Sequence, residues 1–211
     1  MPHQPGAYWR LTCPFVDIIG LYSGTGENFG AIAHPEIGNG QRDWLAARLN
    51  ENAAERAAGT NRALIIAVHH PPYASGLKSG GFGHPGNPEM LQDIDDCCRP
   101  AHVWPNAVLS AHAHNYQRYM RTLTLDGGRR TIPYLIAGGG GISAQPEPEP
   151  TGTTADTGDD HVAYENGLSS YGYLLVAVSA TTFTTGFVQA TAAERSVFET
   201  VTMDLAEGRQ L

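Results

Sequence analysis

Apolar residues along this chain alternate between helical spacing and short solid runs up to residue 115, and turn to strand-like spacing after it. Phe15 to Tyr22 is a short β-prone run closed by the turn-rich Ser23-Gly24-Thr25-Gly26, which predicts a buried strand followed by a loop. From Gln41 to Ala58, Trp44, Leu45, Arg48, Leu49 and Asn52 recur at helical spacing and Gly59 closes the segment, so a helix is expected there. Ala63 to Val68 is uninterrupted apolar sequence, the pattern of a strand covered on both faces, and it ends on His69-His70-Pro71-Pro72-Tyr73. A Gly-rich loop from Ser75 to Gly86 leads to a second predicted helix, Pro88 to Cys98, with Asn87 placed to cap it. Ala107 to Ser110 is the next buried strand, and it ends on Ala111-His112-Ala113-His114.

Beyond that point Tyr116 to Leu125, Thr131 to Ala137, Tyr171 to Ser179, Thr182 to Gln189 and Ser196 to Met203 favour strands, with Asp126-Gly127-Gly128 as a hairpin signal. Residues 140–167, entered through Gly138 to Gly141 and carrying Pro146, Pro148, Pro150, Asp156, Asp159 and Asp160, read as a solvated, mobile loop. Neither an internal repeat nor a domain boundary is visible, so residues 1–211 are expected to form one α/β domain.

Composition narrows the function. At 211 residues and 41% hydrophobic content the chain can bury a full core. A formal charge of -8 with only 13 Lys and Arg argues against a nucleic-acid-binding surface, because backbone phosphates are held mostly by cationic side chains. Three cysteines, two of them the neighbours Cys97 and Cys98, form no Cys-x-x-Cys pair and are expected as buried thiols. No apolar run reaches the ~20 residues that span a bilayer, and Met1 to Gly6 lack a basic-then-apolar leader. The compartment stays open, since a secreted or periplasmic parent is compatible with a longer start.

Two strands that each finish in histidine carry the chemistry. Ligand sites of α/β sheets lie beyond the carboxyl ends of the strands, where neutral imidazoles can hold transition metals. His112 and His114, two apart in extended chain, project to one side with backbones about 6–7 Å apart. Such a pair can reach two ions; dinuclear hydrolases use ions about 3.5–4 Å apart to clamp phosphoryl oxygens and activate water. Of the adjacent His69 and His70, extended geometry lets only one face the site.

Val68-His69-His70-Pro71-Pro72-Tyr73 and Ser110-Ala111-His112-Ala113-His114-Asn115-Tyr116-Gln117-Arg118 resemble the last two metal motifs of the calcineurin-like metallophosphoesterases, in particular the purple acid phosphatase-like branch. Tyr8 to Tyr22, the helix around Gln41 to Leu45, Pro133 to Gly141, and Tyr171-Gly172-Tyr173 with the strands after it resemble the second half of that domain in order. The resemblance implies a partial four-layer α-β-β-α sandwich lacking its N-terminal half, and metal-dependent hydrolysis of a phosphoester on a small molecule or phosphoprotein. It implies a pair of divalent or trivalent ions (Fe, Mn or Zn), with His69 and His112 on one and His114 on the other. His70, Tyr73, His84, Asn115, Tyr116, Arg118 and His161 are candidates for lining the pocket. Tyr116 and Arg118 match a Tyr-x-Arg tail, or else serve packing and ion pairing.

Ahead of His69 the sequence has no Asp-x-His, Gly-Asp or Gly-Asn-His, the motifs by which this family completes the site, so no catalytic residue is assigned. Residue 111 is Ala where the family usually has Gly, a change that matters only if φ there is positive. Three further expectations follow: self-association or pairing with a missing half, a non-catalytic binding protein built on half the fold, or one zinc held by His69, His112 and His114.

Overall fold

In the computed structural model the two apolar runs that end in histidine are neighbouring parallel strands. It describes residues 7–24, 30–75, 84–125, 127–141, 143–146 and 153–211, with only the backbone of 153–156. In chain order these form β1 (Trp9–Thr12), β2 (Val16–Leu21), α1 (Gly40–Ala57), β3 (Ala63–Val68), α2 (Pro88–Ala101), β4 (Ala107–Ser110), β5 (Tyr116–Leu125) and β6 (Gly128–Ala137). They continue with β7 (Thr153–Asp156), β8 (Asp160–Leu168), β9 (Gly172–Val178), β10 (Thr182–Ala190), β11 (Arg195–Asp204) and β12 (Arg209–Gln210). The Asn87 cap forms as expected, its side chain accepting from Met90 N–H at 2.9 Å.

Eight strands make one mixed sheet in the order β1-β2-β3-β4-β6-β5-β8-β7, with β2, β3, β4 and β6 parallel. The other four make an antiparallel sheet, β12-β11-β10-β9. Alternation along β3 shows how they stack. Leu64, Ile66 and Val68 pack with Leu45 and Leu49 of α1 and Met90 and Ile94 of α2, whereas Ile65 packs with Phe183, Val201 and Met203 of the small sheet. Burial of each such side chain favours folding by about 1.5–3 kcal/mol, which explains the solid apolar run.

The result is an α/β stack of helices, large sheet and small sheet. Among the described residues no helix covers the outer face of the small sheet, where Leu175 and Val197 are 56% and 61% exposed. The expected fourth layer is therefore not seen in these residues.

Residues 140–167 also differ from the loop expected there: β7 and nearly all of β8 lie within them, β8 paired antiparallel with β5. The sequence of β8 is too polar to announce a strand. Tertiary partners hold it instead: Val162 is buried in the core, and Asp160 accepts from Arg121 at 2.7 and 3.0 Å. The same guanidinium bonds both oxygens of Asp95 in α2, tying helix to sheet. Residues 142 and 147–152 of that segment lie outside the described residues. Cys97 and Cys98 are buried free thiols, and burial pushes Cys97 up to about 11.

Candidate metal centre

Because β3 and β4 pair in parallel with Val68 opposite Ser110, the residues after each strand leave the sheet side by side. The Ala111 N–H donates to His69 C=O at 3.1 Å and holds the two turns together. His69 Nε2 then lies 3.2 Å from His112 Nδ1. His70 completes the group: the ligand nitrogens of His69, His70 and His112 all fall within 4.8 Å of one another. Extended geometry had allowed only one of the adjacent pair to face the site. The chain leaves extended conformation at the end of β3, so both rings reach His112, with centroids 5.1 Å away for His69 and 4.2 Å for His70.

Backbone conformation around His112 is costly. Its φ is +62°, in the left-handed region that charges an L-residue about 1–2 kcal/mol. The positive φ thus falls on His112 and not on Ala111, which removes the concern about Ala at that position. Two glycines make room for the turns. A Cβ on Gly138 would sit 2.0 Å from the Ala113 carbonyl oxygen, so β6 can pass beneath the His112–His114 turn only without one. Gly30, at φ +64°, presses against the His70 ring, where a Cβ would meet Cβ and Cγ at 3.0 Å.

The residues fit a transition metal. At Zn–N distances of about 2.0–2.1 Å, two ligands of one tetrahedral ion stand about 3.3 Å apart, close to the His69–His112 spacing. His70 is 7% exposed, and among the described residues its buried Nε2 has no hydrogen-bond partner. Its Nδ1 lies 2.9 Å from Ser23 Oγ, which also accepts from the His70 backbone N–H at 3.1 Å. The tautomer with its proton on Nδ1 donates it to Ser23 and leaves a bare Nε2 lone pair, the state a metal ligand needs. Burial first, then the neighbouring imidazoles, lower the proton affinity of His70 and His84, and bring His112 down to about 4, so these rings are neutral at pH 7. Among the described residues no carboxylate joins the three.

The other candidates separate into near and far. The His84 ring is 4.1 Å from His112 and 5.6 Å from His114, and His114 is outside the close trio. The His114 backbone is pinned by Gln145, whose Oε1 accepts from its N–H and whose N–H donates to its carbonyl. Asn115 is buried, bridging Gln117 and the Pro146 carbonyl. Tyr73 stacks on Tyr119 and meets Tyr134 edge-on in the core. Tyr116 and Arg118 both bond Glu199 of β11 and fasten the two sheets, the packing and ion-pairing alternative for that tail. Burial acts to raise the Glu199 carboxyl, but bonds from Arg118, Tyr116 and Asn166 outweigh it and hold it below its ordinary value.

His161 is not brought to the histidines. It sits in β8 opposite Thr122, six residues along β5 from Tyr116, about 20 Å at antiparallel rise. Gly158, Asp159 and His161 do carry Gly-Asp and Asp-x-His spacings, but the first two lie in the turn between β7 and β8, closed by Thr157 N–H donating to Asp160 C=O, and His161 follows in β8 itself. Ser23 escaped the sequence reading. Its only signal was a hydroxyl just past a buried strand.

No protein-family model matches the chain, and none of the curated proteins does. The chain is similar over its whole length to a solved structure of PhoD, with a TM-score of 0.57 at 12% identity; the match covers 100% of this chain and 46% of that one. The likeness is one of fold.

Proposed function

We propose that these residues are the C-terminal half of a metal-dependent phosphoester hydrolase of the purple acid phosphatase-like kind, incomplete as a catalyst on their own. The observation that carries this reading is the convergence of three imidazoles from two strand ends, with the buried Nε2 of His70 left open for a ligand. His69, His70 and His112 would hold the ion, and Ser23 would fix the His70 ring. A bound transition metal supplies Lewis-acid activation of water and a charge for a phosphoryl oxygen. His84, whose ring stands 4.1 Å from His112, and His114, 5.6 Å from His84, would donate N–H bonds to that oxygen. Iron, manganese or zinc could serve, an all-imidazole set suiting zinc or iron.

Three imidazoles leave the charge of even one divalent ion uncompensated. Among the described residues none brings a carboxylate to the trio, so a second ion requires carboxylates beyond those. In this reading the exposed outer face of the small sheet is where the fourth layer of an α-β-β-α sandwich would lie.

A second reading has a specific observation behind it. His70, rather than His114, completes the close trio, which favours one zinc with water in its open position. Hydrolysis of p-nitrophenyl phosphate and its bis ester, with added manganese, zinc or iron, tests both readings on the chain alone and on one extended upstream. The first expects activity only in the extended chain and the second in the chain alone with zinc; both expect its loss in His112→Ala. Activity that His112→Ala leaves unchanged overturns both.

A further inference from the structure

At the end of the sheet away from the histidines, two guanidinium groups that make no ion pair among the described residues line one cavity. Arg56, in the last turn of α1, and Arg130, near the start of β6, line a space of about 400 Å³ together with Asn61, Arg62, Asn106, Thr181 and Asp204. Ala63, the first residue of β3, also borders it, so the cavity lies a full strand, about 20 Å, from His69.

Other arginines nearby are neutralised. Arg10 and Arg62 both bind Asp17 and Glu55, and Arg121 binds Asp95 and Asp160. Arg56 and Arg130 differ: among the described residues neither guanidinium makes an ion pair, and the Nε of each is buried with no hydrogen-bond partner. Burial lowers Arg56 to about 10, Arg130's positive charge adding to it and Asp17 opposing it, and burial lowers Arg130 as well. Both stay charged at neutral pH. Two like charges that line one cavity without an ion pair are costly unless something anionic enters.

We propose that this cavity is a binding site for inorganic phosphate, held between Arg56 and Arg130. Guanidinium forks match phosphate oxygens in spacing and charge. The remaining walls add donors from other directions. Thr181 offers a hydroxyl; the Oδ1 of Asn106 already accepts from the Leu64 N–H, so what it can offer is its NH₂. Donors on several sides suit a tetrahedral oxyanion better than a planar carboxylate. Asp204 is the one carboxylate in the wall, and its Oδ1 is occupied by the Ala206 and Glu207 N–H groups at 2.8 and 2.7 Å. Its other oxygen can accept the P–OH of hydrogen phosphate.

The test uses the whole chain, stripped of metal with EDTA, at constant ionic strength with chloride exchanged for phosphate. Phosphate is expected to raise Tm saturably, and equally in His112→Ala. Arg56→Gln and Arg130→Gln should each weaken binding at least 10-fold, and in phosphate-free buffer should melt no lower than the parent, since repulsion is relieved. In the parent, the Nε–H signals of both arginines in ¹⁵N spectra should shift on titration, which keeps the test decisive if a variant fails to fold. Unmoved arginine signals, a rise in Tm kept by both Gln variants, or a rise lost in His112→Ala would each overturn the proposal.

Discussion

His69 Nε2 stands 3.2 Å from His112 Nδ1, although the two residues are 43 positions apart in the chain. Parallel pairing of β3 and β4 creates that approach, and the left-handed turn at His112 finishes it. Two imidazoles at this spacing gain little from each other beyond one weak hydrogen bond. A left-handed non-glycine held at such a place points to function. Replacement His112→Gly should therefore raise the metal-free stability by about 1 kcal/mol while abolishing metal binding. Urea denaturation in EDTA checks the first part; a variant less stable than the parent would mean that the ring's packing outweighs the backbone strain.

Ser23 acts through His70. Losing its hydroxyl frees the ring and leaves the His70 backbone N–H without its acceptor. Ser23→Ala is expected to weaken zinc binding about 10–100-fold. It should also cost about 1 kcal/mol in the metal-free protein. Competition with a chromophoric chelator reads the first effect, and unchanged affinity would remove Ser23 from the site.

Glu199 gives the fold a pH dependence with a definite sign. Its carboxyl is held below the ordinary value of 4.5, so the stabilisation it brings is fully present above that pH and is lost as pH falls through the depressed folded value. At neutral pH, Glu199→Ala leaves Arg118 buried without its partner and should cost about 3–5 kcal/mol. Denaturation curves at pH 7 and at pH 3 should show that deficit shrinking on acidification. A deficit equal at both values would assign the loss to packing alone.

Gly138 is required by contact with backbone, which cannot rotate away as a side chain can. Gly138→Ala should destabilise the fold by about 1–3 kcal/mol and weaken metal binding by displacing the Ala113 carbonyl beside His112. Calorimetry with and without zinc separates the two effects. A stable variant with full affinity would show that β6 and the histidine turn are not coupled.

Most of the scaffold was legible because its signals are local. The solid run Ala63–Val68 and the strand Ala107–Ser110 predicted β3 and β4 to the residue, and Asn87-Pro88 predicted the start of α2. Strand β8 was not, since Asp160, Glu165 and Asn166 hide a segment held by its neighbours. Of the site, the strand-end histidines could be read, but the choice between His69 and His70 depended on backbone leaving extended geometry, which no spacing rule reports. The Tyr116-Glu199-Arg118 contact, spanning more than 80 residues, had no sequence signature at all.

The most direct measurement is zinc stoichiometry and affinity of the purified chain, by elemental analysis and calorimetric titration, beside His69→Ala, His70→Ala, His112→Ala and His114→Ala. If His69, His70 and His112 close on one ion, the parent binds one zinc per chain, the first three variants lose it with their circular dichroism intact, and His114→Ala keeps it. A parent that takes up no zinc, or a His70→Ala variant that binds as the parent does, would contradict the assignment.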